Sequence, residues 1–323
     1  MSGIELEEPV ESCIDAVRPF SGRFGVKAAT AEQVSADGFR RGCVETQVIH
    51  EDILTIDVEE VGTYSLMWTP TCDNTVAVGF CGEDGILTND DDATLGEGEV
   101  PGSLALAAGF AFTEGIVDGL ADIVNMSVCT ERPDVVRVKL RDPQLVAVRR
   151  RNVVINSSCG VCGGREQLQD SEAGWAKASD ILRVAIADLA LIRDALQQRQ
   201  NIFGCTGGAH GAAIFDDHLD VVAAAEDLGR HNALDKVIGQ RFLMGLGFAG
   251  CGAFITSRIS YEMAAKAARA GIELLAAISA PSSLAIEMAD RAGITLCGFV
   301  RGGSGEIYTH PHRIVTNTDT ILL

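Results

Sequence analysis

A chain of 323 residues, 47% hydrophobic and 22% charged, is long enough for two folded domains and has a globular composition. No window approaches the ~18 consecutive apolar residues of a membrane span, and the acidic start Met1-Ser2-Gly3-Ile4-Glu5 is unlike an export signal, so no membrane partner and a cytoplasmic location are expected. The net charge of −19 argues against a duplex nucleic-acid binder, which needs Lys and Arg against phosphates, and no nucleic-acid partner is expected.

Taken along the chain, Ile53–Val58 and Tyr64–Trp68 flank a turn at Gly62 and predict a strand-turn-strand unit. Gly79-Phe80 with Asp84-Gly85-Ile86 reappears as Gly109-Phe110 with Glu114-Gly115-Ile116. The acidic, glycine-rich stretch between them has the composition of an exposed loop. One copy is therefore read as part of an insertion near residues 72–101. Arg149-Arg150-Arg151 is a basic cluster that suits either a solvated turn or a functional patch.

A long helix is expected over residues 174–198, with Leu182, Ala185, Leu189, Ile192 and Leu196 on one face. Val221–Ala225 reads as a strand. Gly245-Leu246-Gly247-Phe248-Ala249-Gly250 fits the dinucleotide pattern G-x-G-x-x-G, but it follows a helical region and precedes a strand. That is the wrong order for a phosphate site, and a Rossmann reading is rejected.

From Gly252 the pattern becomes β-α-β-α-β. Gly252–Ser257, Ile272–Ile278 and Ile294–Val300 are apolar strands; Ser260–Ala270 and Pro281–Ala292 are helices. Ser260 is placed to cap its helix, and Gly271 and Gly293 stop the two helices. A buried, largely parallel sheet follows, with ligands expected in loops beyond the strand carboxyl ends. Those loops are Ser257–Ser260, Ser279–Ser282 and Arg301–Gly305.

Ten cysteines spread over 323 residues do not make a disulfide scaffold. Without an export signal they are expected to be reduced, and nearly all are read as small buried hydrophobes. Cys159 and Cys162, in Ser158-Cys159-Gly160-Val161-Cys162-Gly163-Gly164, form the C-x-x-C of the chain. Such a pair can hold zinc, form a reversible disulfide, or share an activated thiolate. Structural zinc needs two further ligands, and no second C-x-x-C or H-x3–5-H is present. His-x-Glu, required by zinc deaminases, is missing as well. Thiol chemistry stands somewhat ahead of zinc on these grounds.

His210, in Thr206-Gly207-Gly208-Ala209-His210, can orient a thiol or a ligand, although a lone histidine is more often structural. Glu226-Asp227-Leu228-Gly229-Arg230-His231-Asn232 groups acid, base and amide at a strand end, where surface decoration is a poor explanation. Asp235 and Lys236 on the following helix suit an ordinary solvated pair.

Together these segments resemble the FdhD/NarQ family of formate dehydrogenase accessory sulfurtransferases. The resemblance rests on Ser158–Gly163, Thr206–His210, Glu226–Lys236, Ser257-Arg258-Ile259-Ser260-Tyr261-Glu262-Met263, Ser279–Ala285 and Tyr308-Thr309-His310-Pro311, in that order. It runs from about Thr69 to the C-terminus. It implies a cytidine-deaminase-like α/β domain over residues 151–323, lacking the catalytic zinc, after a smaller α+β domain over residues 1–150. It further implies that a cysteine desulfurase passes sulfur to Cys159, with Cys162 as its partner. The sulfur then goes to a bis(molybdopterin guanine dinucleotide) molybdenum cofactor, a bound client rather than a permanent cofactor, destined for formate dehydrogenase. Phe299, Val300, Arg301, Gly302, Gly303 and Ser304 fall on the family's cofactor-contact segment, and His210, Arg230 and His231 are read as further cofactor-binding residues. A homodimer is also implied. The competing expectation is a non-catalytic cofactor chaperone with zinc held by Cys159 and Cys162.

Overall fold

The computed structural model describes residues 25–36, 40–71, 78–81, 85–88, 100–128, 132–149 and 177–315. Its elements begin with the hairpin β1 (Val26–Val34) and β2 (Arg40–Ile49), followed by β3 (Asp52–Val58), β4 (Gly62–Trp68), β5 (Val78–Cys81) and β6 (Gly85–Thr88). Next come α1 (Gly102–Thr113), β7 (Ile123–Val128), β8 (Val135–Leu140) and α2 (Pro143–Arg149). A first six-stranded sheet has the order β4-β3-β8-β7-β5-β6. The predicted turn at Gly62 joins β3 to β4, whose inward positions Leu54, Ile56, Val58, Leu66 and Trp68 are buried. That alternation is the mark of a sheet with one covered face.

The second half contains β9 (Val184–Ala185), α3 (Ile186–Arg199), α4 (Asn201–Thr206), β10 (His210–Phe215), β11 (Val221–Asp227) and α5 (Arg230–Leu243). It continues with β12 (Gly252–Ile255), α6 (Tyr261–Ala270), β13 (Leu274–Ala277), α7 (Ser283–Ala292), β14 (Thr295–Arg301), β15 (Ser304–Thr309) and β16 (Ile314–Val315). The second six-stranded sheet has the order β11-β10-β12-β13-β14-β15. Only β12, β13 and β14 pair in parallel; β10, β11 and β15 pair antiparallel. The sheet is thus mixed rather than largely parallel. Gly271 and Gly293 end α6 and α7 in the left-handed region, at φ 78° and 74°, as expected of C-cap glycines. Gly245 to Gly250 connects α5 to β12, which agrees with rejecting a dinucleotide motif there.

Residues 174–198 do not form one helix; α3 starts only at Ile186. The cause is the fully buried Glu273, whose carboxylate accepts hydrogen bonds from Ser179 Oγ (2.6 Å), Ile181 N and Leu182 N (both 2.8 Å) and Gly250 N (2.7 Å). Residues 179–182 are held as a loop by those bonds, and Val184–Ala185 then pairs with β16. Leu182, Leu189, Ile192 and Leu196 are nevertheless all buried together, so their burial was anticipated correctly. The two Gly-Phe copies also differ: Gly79-Phe80 lies in β5 and Gly109-Phe110 in α1. The rest of the expected insertion, like Arg150 and Arg151, lies mostly outside the described residues.

α1 is the element between the two sheets. All twelve of its residues are buried, as a helix apolar on every side requires. It lies so close to α5 that a methyl group at Gly109 would overlap the Asp235 carbonyl, and one at Gly239 the Ala105 carbonyl. Lys266 of α6 locks the pair. Its ammonium reaches Thr113 Oγ1 (2.9 Å), Glu114 Oε1 (2.8 Å) and Asp235 Oδ2 (2.9 Å). Burial opposes its charge, but the Asp235 and Glu114 carboxylates outweigh that and push its pKa up. The principal apolar core runs without a break from Leu54 of β3 through α1 and α5 to Leu296 of β14.

Gly239→Ala is expected to destabilise the protein by about 3 kcal/mol or more, since two backbones in contact leave no room for a methyl group. A urea titration of wild type and variant reads this directly, and an unchanged midpoint would show that α1 and α5 can move apart cheaply.

Candidate functional site

β11, β12, β13 and β14 all point their carboxyl ends to one edge of the second sheet, and β10 begins there. The loops along this edge are laced together. His210 opposes Asp227, and Gly211 exchanges hydrogen bonds with Thr256 (Gly211 N to Thr256 Oγ1 2.9 Å, Thr256 N to Gly211 O 3.0 Å). Ile259 N donates to Ala280 O (3.1 Å), Ser282 N to Ile259 O (2.9 Å), and Phe299 N to Ser279 O (3.2 Å). The result is a continuous rim from His210 to Phe299, with α5, α6 and α7 starting from it.

The turn Asp227-Leu228-Gly229 is organised by a buried ion pair. Lys236 Nζ lies 2.7 Å from Asp227 Oδ2, with the two side chains 1% and 0% exposed. Asp227 also accepts from Thr69 N (3.0 Å), Gly229 N (2.9 Å) and Asn232 Nδ2 (2.9 Å), while Lys236 donates to Thr69 O (2.9 Å) and Glu226 O (3.1 Å). Asn232 Nδ2 reaches Met67 O as well (2.6 Å). Glu226 faces the other way and accepts from Ile202 N and Phe203 N at the start of α4; burial pushes its pKa up. Asp235 and Lys236 are therefore not a solvated pair. Each is buried and bound to a different partner.

Fixed by this turn, Arg230 and His231 open α5 at the rim. His231 Nε2 lies 2.8 Å from Glu262 Oε2 in the first turn of α6, an ion-pair distance. The His231 ring holds the Glu262 pKa below its ordinary value, against the effect of burial. Arg230 makes no hydrogen bond or ion pair with any described residue, and its Nε is buried. Ser260 stands at the N-cap of α6 but does not cap it; its buried Oγ also lacks a partner. Beside the His231–Glu262 pair, Arg230 Nε and Ser260 Oγ are two buried side-chain polar atoms left without a partner. Orphaned groups gathered in one place call for a bound ligand or water to complete them. His210, half-buried, completes the group. Burial first, then the nearby Arg230 and His231, lower its pKa, with Asp227 acting in the opposite sense.

Phe299 to Ser304 sits at the far end of the rim. Three strand spacings separate β10 from β14, roughly 14 Å, so the two sets of predicted cofactor contacts are distinct. Phe299 takes a left-handed backbone, φ 53°, and the Arg301 guanidinium lies 5.8 Å from its ring centre. Gly302 and Gly303 (φ 59° and 75°) close a two-residue hairpin between Arg301 and Ser304, a turn that itself demands glycine. Val300 is fully buried in the core beneath the sheet, so its side chain is turned away from any ligand on the rim. Cys159 and Cys162 lie outside the described residues. Cys251 and Cys297 are buried hydrophobes, and burial pushes the Cys297 thiol up to about 12. Cys43 departs from the expectation of reduced, buried thiols, being exposed on β2 and disulfide-bonded.

Reading the sequence missed Glu262 and the roles of Ser260 and Thr69. An acid in the first turn of a helix that starts at a strand end was the available signal for Glu262. Nothing local marks Thr69, whose partner is 158 positions away.

The molecule is thus an α/β protein with a polar, partly unsatisfied rim at the carboxyl edge of a mixed sheet. A solved structure described as a candidate formate dehydrogenase accessory protein from Desulfotalea psychrophila shares this fold, with TM-score 0.65 and 20% identity over 89% of this chain and 98% of that one. The FdhD/NarQ family model matches residues 101–315, and the chain belongs to that family. Among curated relatives, the sulfur carrier protein FdhD of Sulfolobus acidocaldarius is 40% identical over 216 residues, covering 66% of this chain and 82% of the relative. That of Bordetella parapertussis is 41% identical over 211 residues, covering 64% and 76%. Among the described residues, no helix is long and apolar enough to cross a membrane.

Lys236→Met is expected to cost about 3–5 kcal/mol of stability, because it strands the Asp227 carboxylate without its cation in a dry interior. Equilibrium unfolding checks this, and a loss under 1 kcal/mol would show that water reaches Asp227.

Proposed function

We propose that this protein is a sulfur carrier for the maturation of formate dehydrogenase, and that the rim at the carboxyl edge of the second sheet receives the anionic molybdenum cofactor as its substrate. Supporting the reading is one observation above the rest, the unsatisfied donors of Arg230 and Ser260 at the starts of two helices, beside His210 and His231. Unpaired donors at helix N-termini suit phosphate oxygens. Family membership supplies the sulfur chemistry, since curated relatives carry the name sulfur carrier protein. The cytidine-deaminase-like fold of residues 151–323 and a separate domain over residues 1–150 belong to the same reading, as does a homodimer.

Sulfur reaches Cys159 by thiolate attack on the terminal sulfur of a cysteine desulfurase persulfide. The donor's S–S bond breaks as the new one forms, and the desulfurase cysteine leaves as its thiolate. Oxidation level is conserved, so no external oxidant enters. A neutral thiol is a poor nucleophile, which makes the thiolate essential. Cys162 serves as partner thiol. The bis cofactor carries two dinucleotide arms, each with one diphosphate, and is long enough to span the roughly 14 Å between the His210–Arg230 cluster and the Phe299–Ser304 hairpin.

Intact-mass spectrometry after incubation with a desulfurase and cysteine should show one added sulfur, lost in Cys159→Ser, and that variant should leave formate dehydrogenase inactive. Normal formate dehydrogenase activity in Cys159→Ser would sink the assignment. Tightly held zinc that disappears when both cysteines are changed would favour a metal-bearing chaperone instead.

A further inference from the structure

The His210 ring is half-buried and makes no hydrogen bond with any described residue. It opposes Asp227 across the β10–β11 ladder, and three residues on from Asp227 Arg230 opens α5 with a buried Nε that has no hydrogen-bond partner. Resting on the reading of this cluster as an anion site, we propose that an anion bound at Arg230 draws a proton onto His210, so that occupancy of the site is coupled to pH.

The charged groups around the ring among the described residues all bear on this. Asp227 opposes His210 across the β10–β11 ladder, but its oxygens are already shared among Lys236, Thr69 N, Gly229 N and Asn232. Arg230 and His231 of α5 both repel a proton on His210. Glu262 of α6 is engaged by His231 at 2.8 Å. Glu262 also faces the Arg230 and Lys266 charges, and the Asp227 carboxylate opposite His210 is shared among four other groups. Burial and the Arg230 charge accordingly keep the empty-site His210 pKa low. An anion against Arg230 cancels that repulsion and adds an attraction, and both changes favour the protonated ring. A group that is neutral when the site is empty and charged when it is filled makes binding tightest at low pH. Affinity then falls as pH rises through the histidine range, by up to about tenfold per pH unit for one proton taken up.

Sulfate is the probe of choice, since it does not itself titrate over the histidine range. The test is a histidine NMR titration of the full chain between about pH 5 and 8, with sulfate or with chloride at equal ionic strength, His210 being assigned by the signal lost in His210→Gln. The proposal expects the His210 midpoint to move to higher pH with sulfate in wild type and to stay put in Arg230→Gln. Sulfate-induced shifts in the cluster with no movement of the His210 midpoint would overturn the coupling while leaving the anion site standing. Absence of any sulfate effect on the cluster would overturn both. A midpoint that moves equally in Arg230→Gln would also overturn the proposal, because the anion would then be acting elsewhere.

Discussion

The Lys236–Asp227 pair sits where the two sheets meet, with less than 2% of either side chain exposed. Charges cannot be taken out of water without full compensation. Here the compensation comes from both halves of the molecule: Thr69 gives an N–H to Asp227 and a carbonyl to Lys236, while Gly229 and Asn232 fill the second carboxylate oxygen. Remove the end of β4 and the pair is left short of partners. Remove the pair and the turn that presents Arg230 and His231 has nothing to fix it. The rim on the second sheet therefore depends on a segment from the first.

The packing of α1 on α5 enforces the same dependence by steric means. Gly109 and Gly239 let the two backbones touch, and Lys266 then bridges Thr113, Glu114 and Asp235 across the contact. α5 begins at the rim, the neighbouring residues Asp235 and Lys236 in its first half tie it to α6 and to the end of β4, and Gly239 lets it pack closely on α1. Such rigidity suits a site whose donors must wait, unsatisfied, for a ligand.

The elements after Gly252 were legible because their periods are clean and their helix stops are glycines in the left-handed region. α1 was not legible. Gly102–Thr113 is buried on every side, so it has no polar face to set a period, and its Gly-Phe pair imitated a repeat of β5. The helix expected from residue 174 was shortened by Glu273, whose carboxylate captures backbone donors some 90 positions earlier in the chain. Val300 looked like part of a binding loop until the strand showed its side chain packed in the core.

By itself the sequence determined the C-x-x-C spacing of Cys159 and Cys162, the strand-helix alternation of the second half and the loops in which polar groups would gather, since each of these is written in local spacing and residue type. Tertiary structure alone decided which of those polar groups are spent and which are free. Asp227, Lys236, Asp235 and Glu226 are consumed in buried networks, whereas Arg230, Ser260 and His210 are left open on the rim. The distinction rests on partners more than 100 residues away for Asp227 and Asp235, whose hydrogen bonds come from Thr69 and Thr113. No window of sequence contains those partners, because only folding brings them within bonding distance.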